Sequence, residues 1–321
     1  MLVIVCPGQG SQVPGFLAPW LELPGFSTRL RWLSAVAGTD LVAHGTTSDA
    51  ETIRDTAVAQ PLIVASGLAV LGELTGAGGA LPAALTSGHS VGEITAAAAA
   101  GVLTPEQAVV LVRERGRAMA AASAATPTGM SAVLGGDAEE VAEVLARHGL
   151  TAANANGGGQ VVAAGTLEAL QALAGDPPAK ARVVPLQVAG AFHTEHMAPA
   201  VEVLAGYAAA LEPQPARTPV VSNTDGAVLT DGPEVLRRIV AQVSRPVRWD
   251  LCTERFAELG VTALLELAPA GTLVNLAKRQ LKGVEVLALK APEDLDRARA
   301  LVAEHGGTGA PSPDVTAAGA L

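Results

Sequence analysis

Residues 82–100 read Pro82-Ala83-Ala84-Leu85-Thr86-Ser87-Gly88-His89-Ser90-Val91-Gly92-Glu93-Ile94-Thr95-Ala96-Ala97-Ala98-Ala99-Ala100. An apolar approach reaches a G-x-S-x-G at Gly88–Gly92, and an Ala-rich helical run follows. A serine on so sharp a strand-to-helix turn projects its hydroxyl above the sheet, and the N–H groups that begin the helix can stabilise an oxyanion. The unit predicts an α/β fold, and its surroundings agree. Leu2-Val3-Ile4-Val5-Cys6, closed by Pro7-Gly8, is the continuous apolar run of a parallel strand buried on both faces. Helical readings cover 27–37 and 58–75, so strand and helix signals alternate.

The segment after the Ala-rich run predicts a second helix in detail. Thr104-Pro105-Glu106-Gln107 has the form of a capping box, with Thr104 as N-cap, Pro105 at N1 and Gln107 at N3. Its apolar stripe is Ala108, Leu111, Val112 and Met119, with Arg115 in the middle of it. Glu106, Arg113 and Arg117 fall on the face expected to meet water. An arginine inside an apolar stripe calls for a carboxylate partner, because an unpaired buried charge is costly.

From 129 to 189 the pattern is β-α-β-β-α-β: strands at 130–134, 151–156, 160–164 and 182–188, helices at 138–148 and 167–174, and Gly157-Gly158-Gly159 between the middle strands. This is the ferredoxin-like order. The expected architecture is an α/β-hydrolase-like large domain formed by 1–125 and 190–305, an inserted ferredoxin-like subdomain at 126–189, and a disordered tail at 306–321. The large domain resumes with a strand end at 220–223, helices at 234–242 and 271–279, and strands at 262–267 and 284–289.

Composition narrows the function classes. Hydrophobic residues are 49% and charged residues 16% of 321, enough apolar material for a large core. Aromatics are only 2%, which disfavours a stacking platform for single-stranded nucleic acid. A net charge of −10 disfavours both nucleic acid and an anionic membrane as partners. The run at 94–103 is too short to span a bilayer. Cys6 and Cys252 are too few for a disulfide framework or a Cys-rich zinc site, and read as buried thiols in a reducing compartment. The expectation is a soluble, cytoplasmic monomer.

Ser90 is the candidate nucleophile and needs a base. Of six histidines, His193 in Gly190-Ala191-Phe192-His193-Thr194-Glu195-His196 lies just after a predicted strand. His193-x-x-His196 with Glu195 also raises a metal reading, ranked low because no third ligand is near in sequence. Pro7-Gly8-Gln9-Gly10-Ser11-Gln12 fits neither a dinucleotide fingerprint nor a phosphate loop, but offers backbone N–H groups at the carboxyl end of a strand. A competing reading is a serine esterase or thioesterase of the α/β-hydrolase type, with Ser90, Asp250 and His305 in that fold's triad order.

Five blocks stand in register with one family. Gly8-Gln9-Gly10-Ser11-Gln12, Gly88-His89-Ser90-Val91-Gly92-Glu93, Arg113-Glu114-Arg115-Gly116, Gly190-Ala191-Phe192-His193 and Gln242-Val243-Ser244-Arg245-Pro246-Val247-Arg248-Trp249 resemble the malonyl-CoA:acyl-carrier-protein transacylases. The resemblance covers about residues 1–290. It implies Ser90 as nucleophile, His193 as base, the N–H groups of Gln9 and Val91 as oxyanion hole, and Arg115 as the ligand of the malonyl carboxylate. Gln242 would support the His193 loop, with His89 and Phe192 as further supporting residues. It implies malonyl-CoA and an acyl carrier protein as partners, no metal and no cofactor, in fatty-acid or polyketide synthesis. Cys6 stands where that family commonly has Phe, and Ala268-Pro269-Ala270-Gly271 replaces its usual Gly-Pro-Gly turn.

Overall fold

The computed structural model describes residues 1–76, 80–188 and 190–306. In chain order its strands are β1 (Leu2–Cys6), β2 (Leu85–Gly88), β3 (Thr128–Gly135), β4 (Thr151–Gly157), β5 (Gln160–Thr166), β6 (Ala181–Pro185), β7 (Val220–Val221), β8 (Val228–Leu229), β9 (Val247–Arg248), β10 (Ala263–Glu266) and β11 (Glu285–Ala288). They form two sheets, ordered β11-β10-β1-β2-β7-β8 and β6-β3-β5-β4-β9.

The first sheet is parallel from β11 to β7, and only β8 runs antiparallel. β1 sits inside it, and the unbroken apolar run has a direct cause. Leu2, Ile4 and Cys6 pack with Leu30, Leu62 and Ile94 on one face, while Val3 and Val5 pack with Trp249, Phe256 and Leu273 on the other. No face is left for a polar side chain. Thr86 and Ser87 of β2 are tolerated because their hydroxyls donate to the carbonyls of Ile4 and Val221 at 2.9 and 2.7 Å.

The apolar reading at 58–75 is the helix Thr56–Thr75. Asp55 starts it two residues earlier by accepting from the N–H groups of Ala57 and Val58. It is long and apolar enough to cross a membrane, but most of it is buried among other elements of the fold. The helix Pro105–Ala125 begins with the expected capping box at Thr104 and Gln107.

The second sheet has the expected β-α-β-β-α-β order, with helices at Ala138–Arg147 and Leu167–Gly175, and β3 to β6 pair antiparallel throughout. Gly157, Gly158 and Gly159 all take positive φ in the β4–β5 turn, a run that side chains with a Cβ resist. On one face Val133 and Ala163 pack against Val144 and Leu173 of the two helices, while Met130, Ala153 and Val162 join the main core. Three expectations need correction. The strand expected at 182–188 ends at Pro185. β8 was not expected, being only two residues long. β9, also unexpected, lies beyond the helix Gly232–Gln242 yet pairs in parallel with β4, so the sheet does not close within 126–189. The tail expected from 306 onward lies outside the described residues apart from Gly306.

Candidate active site

Ser90 follows β2 with φ +53°, left-handed for a residue with a Cβ, a conformation costing about 1–3 kcal/mol. The residues two positions to either side, Gly88 and Gly92, are glycine for steric reasons. A Cβ on Gly88 would come within 2.0 Å of the Gly92 backbone, and one on Gly92 within 2.2 Å of the Cys6 carbonyl. The end of β1, the end of β2 and the start of the helix Gly92–Ala99 thus cross at backbone contact. Gly92→Ala is expected to destabilise the protein by about 1–3 kcal/mol, as overpacking does, read as a lower urea midpoint with an unchanged m-value.

The Ser90 hydroxyl lies 2.7 Å from His193 Nε2. His193 is itself held at φ +62°, and its Nδ1 is 2.8 Å from the backbone carbonyl of Gln242. A carbonyl can only accept, so Nδ1 carries the proton and Nε2 is left to accept from Ser90. Burial, then the nearby Arg115 charge, pushes the His193 pKa down to about 3. The ring is therefore neutral at neutral pH and free to take a proton.

Arg115 is 1% exposed. Its guanidinium donates to Gln60 Oε1 at 2.7 Å, to Gln242 Oε1 at 3.1 Å and to the Ser90 hydroxyl at 3.4 Å, and its Nε has no partner among the described residues. The expectation of a directly bonded carboxylate is corrected. Two neutral amide oxygens satisfy part of the fork, so a net positive charge remains beside the serine. Burial lowers the Arg115 pKa to about 10, and the Glu93 carboxylate opposes that fall. Of the three residues expected to face water, Arg117 is exposed. Arg113 is half-buried, bonded to Glu114 at 2.6 Å and to the Val36 carbonyl at 3.3 Å. Glu106 is likewise part-covered, accepting from Trp32 Nε1 at 2.8 Å. The neighbouring helix Pro24–Ala37 narrows the wet face.

Ser90 and His193 open into a cavity of about 530 Å³ between the two sheets, lined with them by Gln9 and Gln60 on one side and by Met130, Asn156 and Val162 on the other; Arg115 is not among its lining residues. Phe192 and Val91 also line it. No described residue takes the backbone N–H of Gln9 or Val91. His89 is half-buried beneath the Gly8 turn, its Nε2 2.9 Å from Asn156 Oδ1. A slightly larger cavity, about 580 Å³, lies near Trp32, Leu68 and Arg217 and holds none of these groups. Chemistry rather than size places the site.

The other readings do not assemble. Both ring nitrogens of His193 are engaged and Glu195 is exposed, so the His193, Glu195 and His196 grouping is not built. Asp250 pairs with Arg248 at 2.9 Å, and His305 bonds Thr262 at 2.9 Å, which leaves neither for Ser90. Cys6 and Cys252 are buried, and burial raises both thiol pKa values.

Four polar residues at the site were not foreseen: Gln60, Glu93, Asn156 and Asn223. Gln60 carried a signal, since it interrupts an apolar helical run as Arg115 does. Gln242 does more than expected. Its Nε2 donates to Glu93, to Asn223 Oδ1 at 3.1 Å and to the Ser90 carbonyl at 3.3 Å. Burial pushes the Glu93 pKa up to about 8, against the pull of the Asn223 N–H and Arg115.

Residues 3–301 match the acyl transferase domain family. The malonyl CoA-acyl carrier protein transacylase of Mycobacterium tuberculosis H37Rv is 50% identical over 300 residues, 92% of this chain and 98% of that protein. The Bacillus subtilis 168 protein of the same name is 33% identical over 306 residues, 92% of this chain and 96% of its own. Among solved structures, the M. tuberculosis transacylase superposes with a TM-score of 0.89 at 50% identity, covering 93% of this chain and 99% of that one. A malonyl-transacylase in complex with its type II polyketide synthase acyl-carrier protein superposes at 0.87 with 32% identity, covering 93% and 99%. By sequence and by fold, the chain belongs to the malonyl CoA-acyl carrier protein transacylases of the acyl transferase family.

Proposed function

We propose that the protein moves a malonyl group from malonyl-CoA to the phosphopantetheine thiol of an acyl carrier protein, through a malonyl ester on Ser90. One observation carries the reading: a buried, incompletely bonded guanidinium lies 3.4 Å from a serine hydroxyl that is itself 2.7 Å from a neutral imidazole. A nucleophile and a carboxylate ligand so close together fit an acyl group that carries its own negative charge.

Ser90 Oγ attacks the thioester carbonyl carbon while its proton passes to His193 Nε2. The carbonyl oxygen becomes an oxyanion facing the N–H groups of Gln9 and Val91, each such donor lowering the barrier by about 3 kcal/mol. The C–S bond breaks, His193 returns the proton to the coenzyme A sulfur, and malonyl-Ser90 remains. The carrier thiol then gives its proton to His193 and attacks the ester, and Ser90 Oγ leaves and regains the proton. Arg115 binds the free carboxylate by charge-assisted bonds, Gln242 holds Arg115 and His193 together, Phe192 walls the acyl pocket, and His89 supports the turn below it. These steps draw on no metal or redox cofactor. We divide the chain into 1–125 with 190–305 and an inserted 126–189, with substrate between them, and place the enzyme in the reducing cytoplasm. Intact mass after brief exposure to malonyl-CoA tests the reading: a malonyl adduct mapping to Ser90 supports it, and acylation elsewhere or none at all overturns it.

The carrier surface has two candidates. Lys278, Arg279 and Lys282 are exposed and Arg279 lines the cavity, whereas Lys180 and Arg182, at the start of β6, do not line it. We favour the first cluster. Exposed charge pairs contribute about 0.2–1 kcal/mol each. Lys278→Glu with Lys282→Glu should therefore lower kcat/KM for the carrier protein several-fold and flatten its salt dependence, with acylation by malonyl-CoA spared. A loss confined to Lys180→Glu with Arg182→Glu would move docking to the other surface.

A further inference from the structure

Ser90 holds an unfavourable backbone conformation on a turn between two glycines, and something must keep it there. Asn223, just beyond β7, is fully buried and bridges that turn. Its Oδ1 accepts the Ser90 N–H at 2.8 Å, and its Nδ2 donates to the Gly88 carbonyl at 2.7 Å. One amide thus bonds the backbone on both sides of His89. Asn223 is fixed in turn, because its own N–H donates to Glu93 Oε1 at 2.6 Å. Gln242 Nε2 adds a second donor to Asn223 Oδ1 and a bond to the Ser90 carbonyl. Both polar backbone groups of Ser90 are therefore claimed from one side, and the hydroxyl is aimed at His193 and Arg115.

We infer that Asn223, anchored by Glu93, is a positioning residue that sets the attack geometry of Ser90. It touches neither the hydroxyl nor the acyl pocket, so it acts through the Ser90 backbone and through its bond to Gln242. This rests on Ser90 being the nucleophile. Without Asn223 the turn can relax, and the hydroxyl drifts from Nε2 by a fraction of an ångström to an ångström. Misplacement on that scale costs on the order of 10- to 100-fold in rate. Asn223 makes no bond to Arg115, which Gln60 also holds, so malonate binding should change less than the acylation rate.

Single-turnover acylation by malonyl-CoA, read by quenched intact mass, separates these effects. Asn223→Ala should lower the limiting acylation rate on the order of 10- to 100-fold, with the half-saturating malonyl-CoA concentration shifted less than about 3-fold. A fluorophosphonate, which labels an activated serine whatever the natural acyl group, should slow in step. Thr86→Val is the control: it deletes a buried hydrogen bond on the same strand without touching the turn, and should lower Tm but leave both rates alone. If Asn223→Ala is recovered unfolded, Asn223→Ser, which keeps a short acceptor, is measured the same way. Wild-type rates in the Asn223 variant, or equal slowing in Thr86→Val at matched Tm, overturn the inference. A wild-type protein that labels with fluorophosphonate but takes no malonyl group would defeat the substrate reading instead, while the fluorophosphonate comparison still judges Asn223.

Discussion

His193→Ala slows formation of malonyl-Ser90 by on the order of 10²- to 10⁴-fold, the usual contribution of a positioned general base. The imidazole is 2.7 Å from the hydroxyl, and the Gln242 carbonyl selects the productive tautomer. His196→Ala is the comparison and should be near neutral, because His196 is part-exposed just outside the site. The pH dependence adds a second check. An ordinary histidine would be half-protonated near pH 6.5 and the rate would fall there. The His193 pKa is depressed by burial and by Arg115, so kcat/KM should stay level through pH 6.5 and fall only well into the acid range. Stability responds at that side chain over a higher pH range, from about 6.5 down to about 3. Below pH 6.5 the unfolded chain binds a proton at this histidine that the folded protein refuses, so acid destabilises the fold. His193→Ala should flatten that acid limb. A kcat/KM profile that halves near pH 6.5 would show that the ring is not held neutral.

Arg115→Ala lowers kcat/KM for malonyl-CoA by on the order of 10²-fold or more, since removing one member of a buried charged pair costs about 3–5 kcal/mol. Acetyl-CoA brings no carboxylate, so its poor rate should hold or rise and the preference should collapse. Lysine at 115 should rescue only partly, because a point charge cannot reach Gln60, Gln242 and a substrate carboxylate at once as a planar fork does. Arg117→Ala is the control. Arg113 is unsuitable, being tied to Glu114 and Val36. Parallel loss on both substrates would make Arg115 a structural residue.

What could be read from the chain alone follows from range. β1 announces itself because five adjacent residues must all be apolar. The capping box at Thr104 is local to four residues, and Ser90 sits in a motif whose glycines have steric causes within a few positions. Arg115 was visible as a charge in an apolar stripe, but its partners were not, since Gln60 and Gln242 come from 55 and 127 residues away. Asn223 was hidden for the same reason: its bond to Ser90 spans 133 residues and its own sequence context is an unremarkable strand end. Two-residue strands such as β8 and β9 have no periodicity to detect and exist only because a neighbouring strand offers free backbone groups.

The pairing of β9 with β4 bears on how this architecture can be recombined. Asn154 and Ala155 lie opposite Val247 and Arg248, and Asn156, next along β4, bonds His89 beside the serine. A seam cut at 126 and 189 therefore breaks a strand ladder as well as the chain. A chimera that imports another acyltransferase's 126–189 alone would set a foreign edge against a native ribbon, one residue from the groups that orient the turn. Carrying 246–249 across with the insert keeps that edge matched to its own partner. The transplantable unit is discontinuous in sequence, and swapping by linear segment is expected to yield soluble but poorly acylating hybrids.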